Sequence, residues 1–258
     1  MNYSAVSRVL KGILASAVMC TFMAAVPVSA AETEEITYTC RKIDMYDYQR
    51  PVPMSMPVDE SYYDQAFFAG DSRMGSLYYY GTHPNRNVAF VTSLSLIMIK
   101  EPGMKVDERD DGVTLWQLLE DNDRKSVYLL FGINEIRNPN FNAFGEMYQE
   151  LVDMLRKKDP DMDIYVILSY HPDLITNLPE PALTEHLNDL NSTQVEIAKK
   201  NHLYYLNPDE VLNDAQGTII DEYVWDGLHF NPTGTKAFQD FIDTHVVRRE
   251  TYVKEVCE

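Results

Sequence analysis

The chain has 258 residues, 45% of them hydrophobic, with 22 Lys and Arg against 40 Asp and Glu, a formal net charge of −18 at pH 7. Such acidity opposes binding to nucleic acid or anionic membranes, where neutralised phosphates supply most of the affinity, and favours neutral or cationic substrates. The length fits one domain with a sizeable core, and there is no internal repeat, low-complexity tract or second domain.

In chain order, residues 1–30 read as a signal peptide. Arg8 and Lys11 form a positive start, Gly12 to Val26 is an apolar stretch too short for an ordinary membrane span, and Val28-Ser29-Ala30 suits signal peptidase. The mature chain is expected to begin at Ala31, to be secreted, and to keep no stable membrane association. Met19 immediately before Cys20 argues against a lipoprotein signal. Removing this segment leaves Cys40 and Cys257, and two cysteines in an exported protein predict one disulfide, with two free thiols as the alternative. The loop-entropy argument assigns so long a loop about 4 to 5 kcal/mol. The spacing does not suggest a zinc site.

Residues 31–60 are polar, with Pro51, Pro53 and Pro57 closely spaced, and predict an extended arm. Five apolar runs follow at Ala66–Ala69, Val88–Thr92, Val127–Phe131, Ile164–Leu168 and Leu203–Leu206, near-continuous as expected for strands covered on both faces. Between them, Phe141, Phe144, Tyr148, Leu151 and Leu155 recur at steps of three and four, which gives a helix one buried face; Lys157 and Lys158 suit its C-terminal dipole and Pro160 ends it. Thr184–Lys200 is a second helix. Asn231 as N-cap and Pro232 at the first helical position open a third, with Ala237, Phe238, Phe241 and Ile242 as its apolar face. Strands alternating with helices predict an α/β fold, a three-layer α/β/α sandwich around a central parallel five-stranded sheet, spanning 61–246 and followed by a charged tail, 247–258.

Three polar motifs fall beside these elements: Gly70-Asp71-Ser72-Arg73, Gly132-Ile133-Asn134-Glu135 and Asp226-Gly227-Leu228-His229. Ser72 follows the first run, Ser93 the second and Asn134 the third, and open sheets of this kind bind ligands beyond the carboxyl ends of their strands. A serine hydroxyl attacks a carbonyl only when a base takes its proton. His229 is the candidate base, and Asp226, three residues earlier, would orient its ring and stabilise the imidazolium. The Ser72 backbone N–H and the Asn134 side-chain amide are candidate donors to the oxyanion formed by attack. Arg73 has two readings, an ion pair with a neighbouring carboxylate or a contact to a polar or anionic part of the substrate. His171 is a candidate for lining the cleft, with a loop role as the alternative. Asp71 reads as a turn residue rather than the triad acid, and His83, His186, His202 and His245 as structural. The nucleophile motif lacks the second Gly of G-x-S-x-G, which argues against an ordinary α/β-hydrolase. No phosphate-cradling Gly-rich motif or H-E-x-x-H is present, so neither a cofactor nor a metal is expected.

On these motifs the chain resembles the SGNH hydrolases, which include the GDSL esterases and lipases, over residues 62–246. Ser72 matches the family's nucleophile, Asn134 its oxyanion-hole Asn, and Asp226 with His229 its Asp-x-x-His. Three departures stand out: Arg73 replaces an apolar residue, Glu135 stands where Asp is commoner, and the second-block Gly has only Ser93 as its nearest candidate. The resemblance implies an SGNH, flavodoxin-like fold and a third oxyanion donor at the Ser93 backbone N–H. The expected activity is that of a secreted, monomeric, metal-independent serine esterase removing short acyl groups such as acetyl from carbohydrate or cell-envelope material. An O-acyltransferase with the same triad, or an inactive carbohydrate-binding or scaffold protein, are the alternatives.

Overall fold

A computed structural model describes residues 4–5, 39–82, 84, 87–173, 175 and 178–257. Of the expected signal peptide only Ser4 and Ala5 fall among them; the expected cleavage point after Ala30, like His83, lies outside the described residues. Among the described residues no helix is long and apolar enough to cross a membrane. The chain divides into two units, Met1–Tyr46 with Arg248–Glu258, and Asp47–Val247.

In the first unit, β1 (Ser4–Ala5), β2 (Thr39–Asp44) and β8 (Val253–Cys257) form an antiparallel sheet in the order β1-β2-β8. Its register places Cys40 directly opposite Cys257, and the two form a disulfide between Cα atoms 4.0 Å apart across a sequence separation of 217. Antiparallel partners present their side chains on the same face, so pairing of the two termini by itself brings the sulfurs together. Tyr46 packs edge-on against Tyr252 at the other end of the β2–β8 ladder.

The second unit is built on five parallel strands: β3 (Ala66–Asp71), β4 (Val88–Val91), β5 (Ser126–Leu130), β6 (Asp163–Ile167) and β7 (Tyr204–Leu206), in the order β4-β3-β5-β6-β7. Every residue of β3, β4 and β5 is buried, as the unbroken apolar runs imply. Phe67, Ala69, Val127, Leu129, Ile164 and Val166 face one large apolar core, with Phe144, Tyr148, Leu151 and Leu155 of α3 (Phe141–Lys158) and Leu183, Leu187 and Leu190 of α4 (Glu180–Lys200).

The alternate residues make a different layer. Phe68, Tyr128, Tyr165 and Tyr204 are register partners across four strands, and their rings meet in sequence at centroid distances of 4.7, 4.3 and 4.9 Å. Buried tyrosines need partners for their hydroxyls. Tyr62 and Tyr128 share a hydrogen bond of 2.8 Å between their hydroxyls, and the Val247 N–H donates to the Tyr165 oxygen at 3.0 Å. α1 (Gly75–Tyr80) packs on α6 (Pro232–Thr244), whose Phe238, Phe241 and Ile242 are buried.

The helices start where their caps dictate. Asn231 accepts from the N–H groups of Thr233 and Gly234 at 2.9 and 3.0 Å and opens α6 as expected. α4 begins at Glu180, a turn earlier than Thr184, behind Pro179. α2 (Leu115–Asp121) is missing from the sequence reading, although Thr114 and Gln117 form a reciprocal capping box; α5 (Asp209–Leu212) is a single turn.

The segment read as an arm divides between the units. From Asp47 it lies along the main unit, with the N–H groups of Val52, Ser55 and Val58 donating to the carbonyls of Tyr205, Thr244 and Asp243 at 2.9, 2.7 and 3.0 Å. The prolines between them have no N–H to leave unpaired. Val52 thus shields the outer edge of β7.

Intact-mass analysis is expected to show a two-proton gain on reduction and no disulfide-linked dimer. Two alkylatable thiols in the unreduced folded protein would contradict the Cys40–Cys257 bridge.

Candidate active site

Neighbours on the strand order set the site's position. β3 runs between β4 and β5, and the chain leaves it first toward β4 and then returns on the other side. The carboxyl ends of β3, β4 and β5 therefore lie side by side at the point where the order reverses, the usual ligand-binding edge of such sheets. Ser72 follows β3 directly, Ser93 follows β4 by two residues, and Asn134 follows β5 by four.

The turn carrying Ser72 requires close backbone approach. A Cβ on Gly70 would stand 2.6 Å from the Leu130 carbonyl oxygen, so no other residue fits between β3 and β5 there. Asp71 then caps the 3-10 turn Ser72–Met74 by accepting from the Arg73 N–H at 3.1 Å.

Ser72 Oγ lies 2.8 Å from His229 Nε2, and His229 Nδ1 lies 2.7 Å from Asp226 Oδ2. Asp226 Oδ1 also accepts from the N–H groups of Leu228 and His229, at 3.1 and 2.7 Å. Burial works against the Asp226 charge, but these N–H donors and the imidazole outweigh it and hold its carboxyl below the usual range. The imidazole is thereby turned with Nε2 toward the hydroxyl, an arrangement able to take a proton from Ser72.

Around the next two strand ends, Asn134 Nδ2 donates to the Leu94 carbonyl at 2.8 Å. An amide NH2 has two hydrogens, so one remains for a ligand. Ser93 adopts φ 59°, the left-handed region that glycine enters freely, so its backbone takes a shape suited to the family's glycine although it carries a side chain.

Glu135 holds the same loop from below: its Oε1 accepts from the Ser95 hydroxyl at 3.0 Å and from the Leu96 N–H, while no described residue pairs with the buried Oε2. Burial, with Asp71 nearby, pushes the Glu135 carboxyl up to about 7.

Arg73 and His171 each have two readings in sequence, and the structure sets aside the substrate contact for both. Arg73 takes the ion-pair reading. Its guanidinium is fully buried, donating from Nε and Nη2 to the two Asp71 carboxylate oxygens at 2.9 and 2.8 Å and from Nη1 to Ser169 Oγ at 3.0 Å. Burial opposes this charge, and Asp71 overrides it, raising the Arg73 pKa. His171 is likewise turned away, with Nδ1 on the Pro172 carbonyl at 2.9 Å and Nε2 within 3.0 Å of Thr184 Oγ1 and 3.2 Å of Glu180. An arginine beside Ser72 and a histidine after a strand look functional in sequence; a neighbouring carboxylate captures the first, and a carbonyl and a hydroxyl hold the second.

Ser72 and His229 open onto a cleft of about 380 Å³. Its walls carry residues that the sequence reading missed: Tyr79 and Tyr80 of α1, Trp225 of the His229 loop, and Asp107 with Glu108. Trp225 is 68% exposed, and Tyr79 and Tyr80 about half. Glu108 has φ 58° and accepts from the Tyr79 hydroxyl at 2.7 Å. Asp107 accepts from the Thr92 N–H at 2.8 Å. A hollow of about 400 Å³ on α6, lined by Tyr223, Lys236 and Asp240 among others, has no nucleophile beside a base.

A carboxyl titrating near 7 in the folded chain and near 4.5 when unfolded retains a proton on folding between those values, so its contribution falls as pH rises through them. Glu135→Gln is therefore expected to gain thermal stability relative to wild type on going from pH 5 to pH 8. Parallel melting curves across that range would refute this.

The sequence matches the model of the GDSL-like lipase/acylhydrolase family over residues 98–237, which takes in Asn134, Asp226 and His229 and begins after Ser72. No curated protein matches it. In fold it is similar to a GDSL-like lipase of Bacteroides thetaiotaomicron, with a TM-score of 0.53 at 12% identity over 73% of this chain and 89% of that one. It is similar also to the acetylxylan esterase of Geobacillus stearothermophilus, with a TM-score of 0.50 at 12% identity over 71% of this chain and 94% of that one. The family match spans more than half of the chain, and on that ground the chain belongs to the GDSL-like lipase/acylhydrolase family, serine hydrolases acting on ester bonds.

Proposed function

We propose that this protein is a secreted serine esterase that removes short acyl groups, such as acetyl, from carbohydrate or cell-envelope material. The observation that carries the reading is the unbroken chain of hydrogen bonds from Ser72 through His229 to Asp226, at 2.8 and 2.7 Å. Ser72 Oγ attacks the ester carbonyl as His229 Nε2 takes its proton, and Asp226 stabilises the imidazolium so formed. Collapse of the tetrahedral intermediate returns that proton to the leaving alcohol and leaves an acyl-enzyme. Water, deprotonated by the same imidazole, then releases the acid and restores Ser72. The backbone N–H groups of Ser72 and Ser93 and the remaining Asn134 amide hydrogen serve as oxyanion donors.

Export is supported by the signal-like residues 1–30 and by the disulfide between Cys40 and Cys257, a bond that persists in oxidising compartments. The substrate class is supported by the cleft: aromatic faces at Tyr79, Tyr80 and Trp225 suit stacking on a sugar ring, and Asp107 and Glu108 suit acceptance from its hydroxyls. The acetylxylan esterase of similar fold acts, by its name, on such an ester. The intact hydrogen-bonded triad weighs against an inactive scaffold.

Ser72→Ala and His229→Ala are each expected to abolish most hydrolysis of an aryl acetate, with the double variant little worse than either, because members of one unit are not additive; Asp226→Asn retains more. Wild-type turnover by Ser72→Ala would overturn the assignment. Asn134→Ala is expected to lower kcat by about 10² to 10³ with KM changed only a few-fold. Should kcat per folded molecule survive while the melting temperature falls, Asn134 merely ties down the Leu94 loop.

A further inference from the structure

The peptide unit joining Leu228 to His229 is held at both ends. Its N–H donates to Asp226 Oδ1 at 2.7 Å, and its carbonyl accepts from the Tyr170 hydroxyl at 2.5 Å. Fixing that plane fixes the backbone angle on the near side of the His229 Cα, and with it the direction in which the imidazole leaves the chain. Asp226 comes from the same loop as the histidine and moves with it. Tyr170 lies three residues past the end of β6 and so ties the loop to the sheet.

The anchor is itself immobilised. Ser169, one residue before, has its N–H and carbonyl both engaged by the Asn191 side chain of α4, at 2.9 Å each. The Tyr170 ring is fully buried, packed on Phe230 at 4.9 Å and beneath the Arg73 guanidinium at 5.5 Å. Arg73 also donates to Ser169 Oγ. The residue immediately after the nucleophile therefore rests on the residue that grips the peptide immediately before the base. Burial pushes the Tyr170 hydroxyl well above its ordinary range, so it remains a protonated donor where esterases are assayed.

We propose that Tyr170 is a positioning residue for the hydrolysis: its hydroxyl fixes the Leu228 carbonyl so that His229 Nε2 meets Ser72 Oγ, and Arg73 couples that anchor to the turn carrying Ser72. The proposal rests on the Ser72–His229 reading above. It also accounts for a charge where the resembling family has an apolar residue, since only a side chain with several donors can reach Asp71 and Ser169 together while covering the ring.

Tyr170→Phe keeps the ring and removes only the hydroxyl. With an aryl acetate as substrate, the variant is expected to lose about ten- to a hundredfold in kcat, the scale of a small misplacement, with KM within about twofold. Fluorophosphonate labelling of Ser72 should slow in proportion. In an Asp226→Asn background the same change should cost much less, as both act through one imidazole. Wild-type kcat in Tyr170→Phe would overturn the proposal, as would a loss of rate matched by the loss of titratable folded sites. His229→Ala distinguishes the two failures: if it abolishes turnover while Tyr170→Phe does not reduce it, only the positioning role falls, whereas an active His229→Ala removes the triad reading as well.

Discussion

A buried ion pair beneath Ser72 organises much of the candidate site. Taking Asp71 and Arg73 out of water costs several kcal/mol per charge, and well-packed apolar residues often stabilise a fold as much as such a pair does. What the pair supplies is direction. One carboxylate accepts from the backbone of the turn and from two guanidinium nitrogens, and the third nitrogen reaches Ser169. Ser72 thus emerges from a turn whose next residue cannot swing outward without abandoning a buried charge.

The sheet order brings the loops after β3, β4 and β5 into one neighbourhood. Because β3 lies between β4 and β5, loops more than sixty residues apart in sequence share one edge. Asn134 and Glu135 then fasten the loop after β4 from the loop after β5, one through the Leu94 carbonyl and the other through Ser95 and Leu96. The loop that carries Ser93 in a left-handed conformation is held by neighbours on both sides of its bend, which preorganises its N–H groups at the expense of a half-satisfied buried carboxyl.

The two faces of the sheet differ in how they are built. One is an ordinary aliphatic core shared with α3 and α4. The other is a row of stacked rings from Phe68 to Tyr204, generated by the register of parallel strands, and its hydroxyls draw Tyr62 and the chain after α6 onto the sheet. Rigid packing of this kind supports a site whose geometry must be held to a fraction of an ångström.

Periodicity and motif order in the sequence already determined the five strands, the long helices α3 and α6 and the pairing of Asp226 with His229, because these depend on local spacing: unbroken apolar runs, steps of three and four, and an Asp three residues before a His. The Asn231 cap was legible for the same reason, and the Thr114 capping box was equally local but overlooked. Tertiary structure alone decided between the two readings of Arg73 and of His171: Asp71 is local, but packing against Ser169 and Tyr170 turns the guanidinium inward, and Thr184 and Glu180 of α4 hold the His171 ring. It likewise assembled the aromatic cleft, the Glu135 latch and the Tyr170 anchor from strand ends with no spacing in common. The split of the residue 31–60 arm followed from the edge of β7, whose free carbonyls could be counted only once the order of the strands was known.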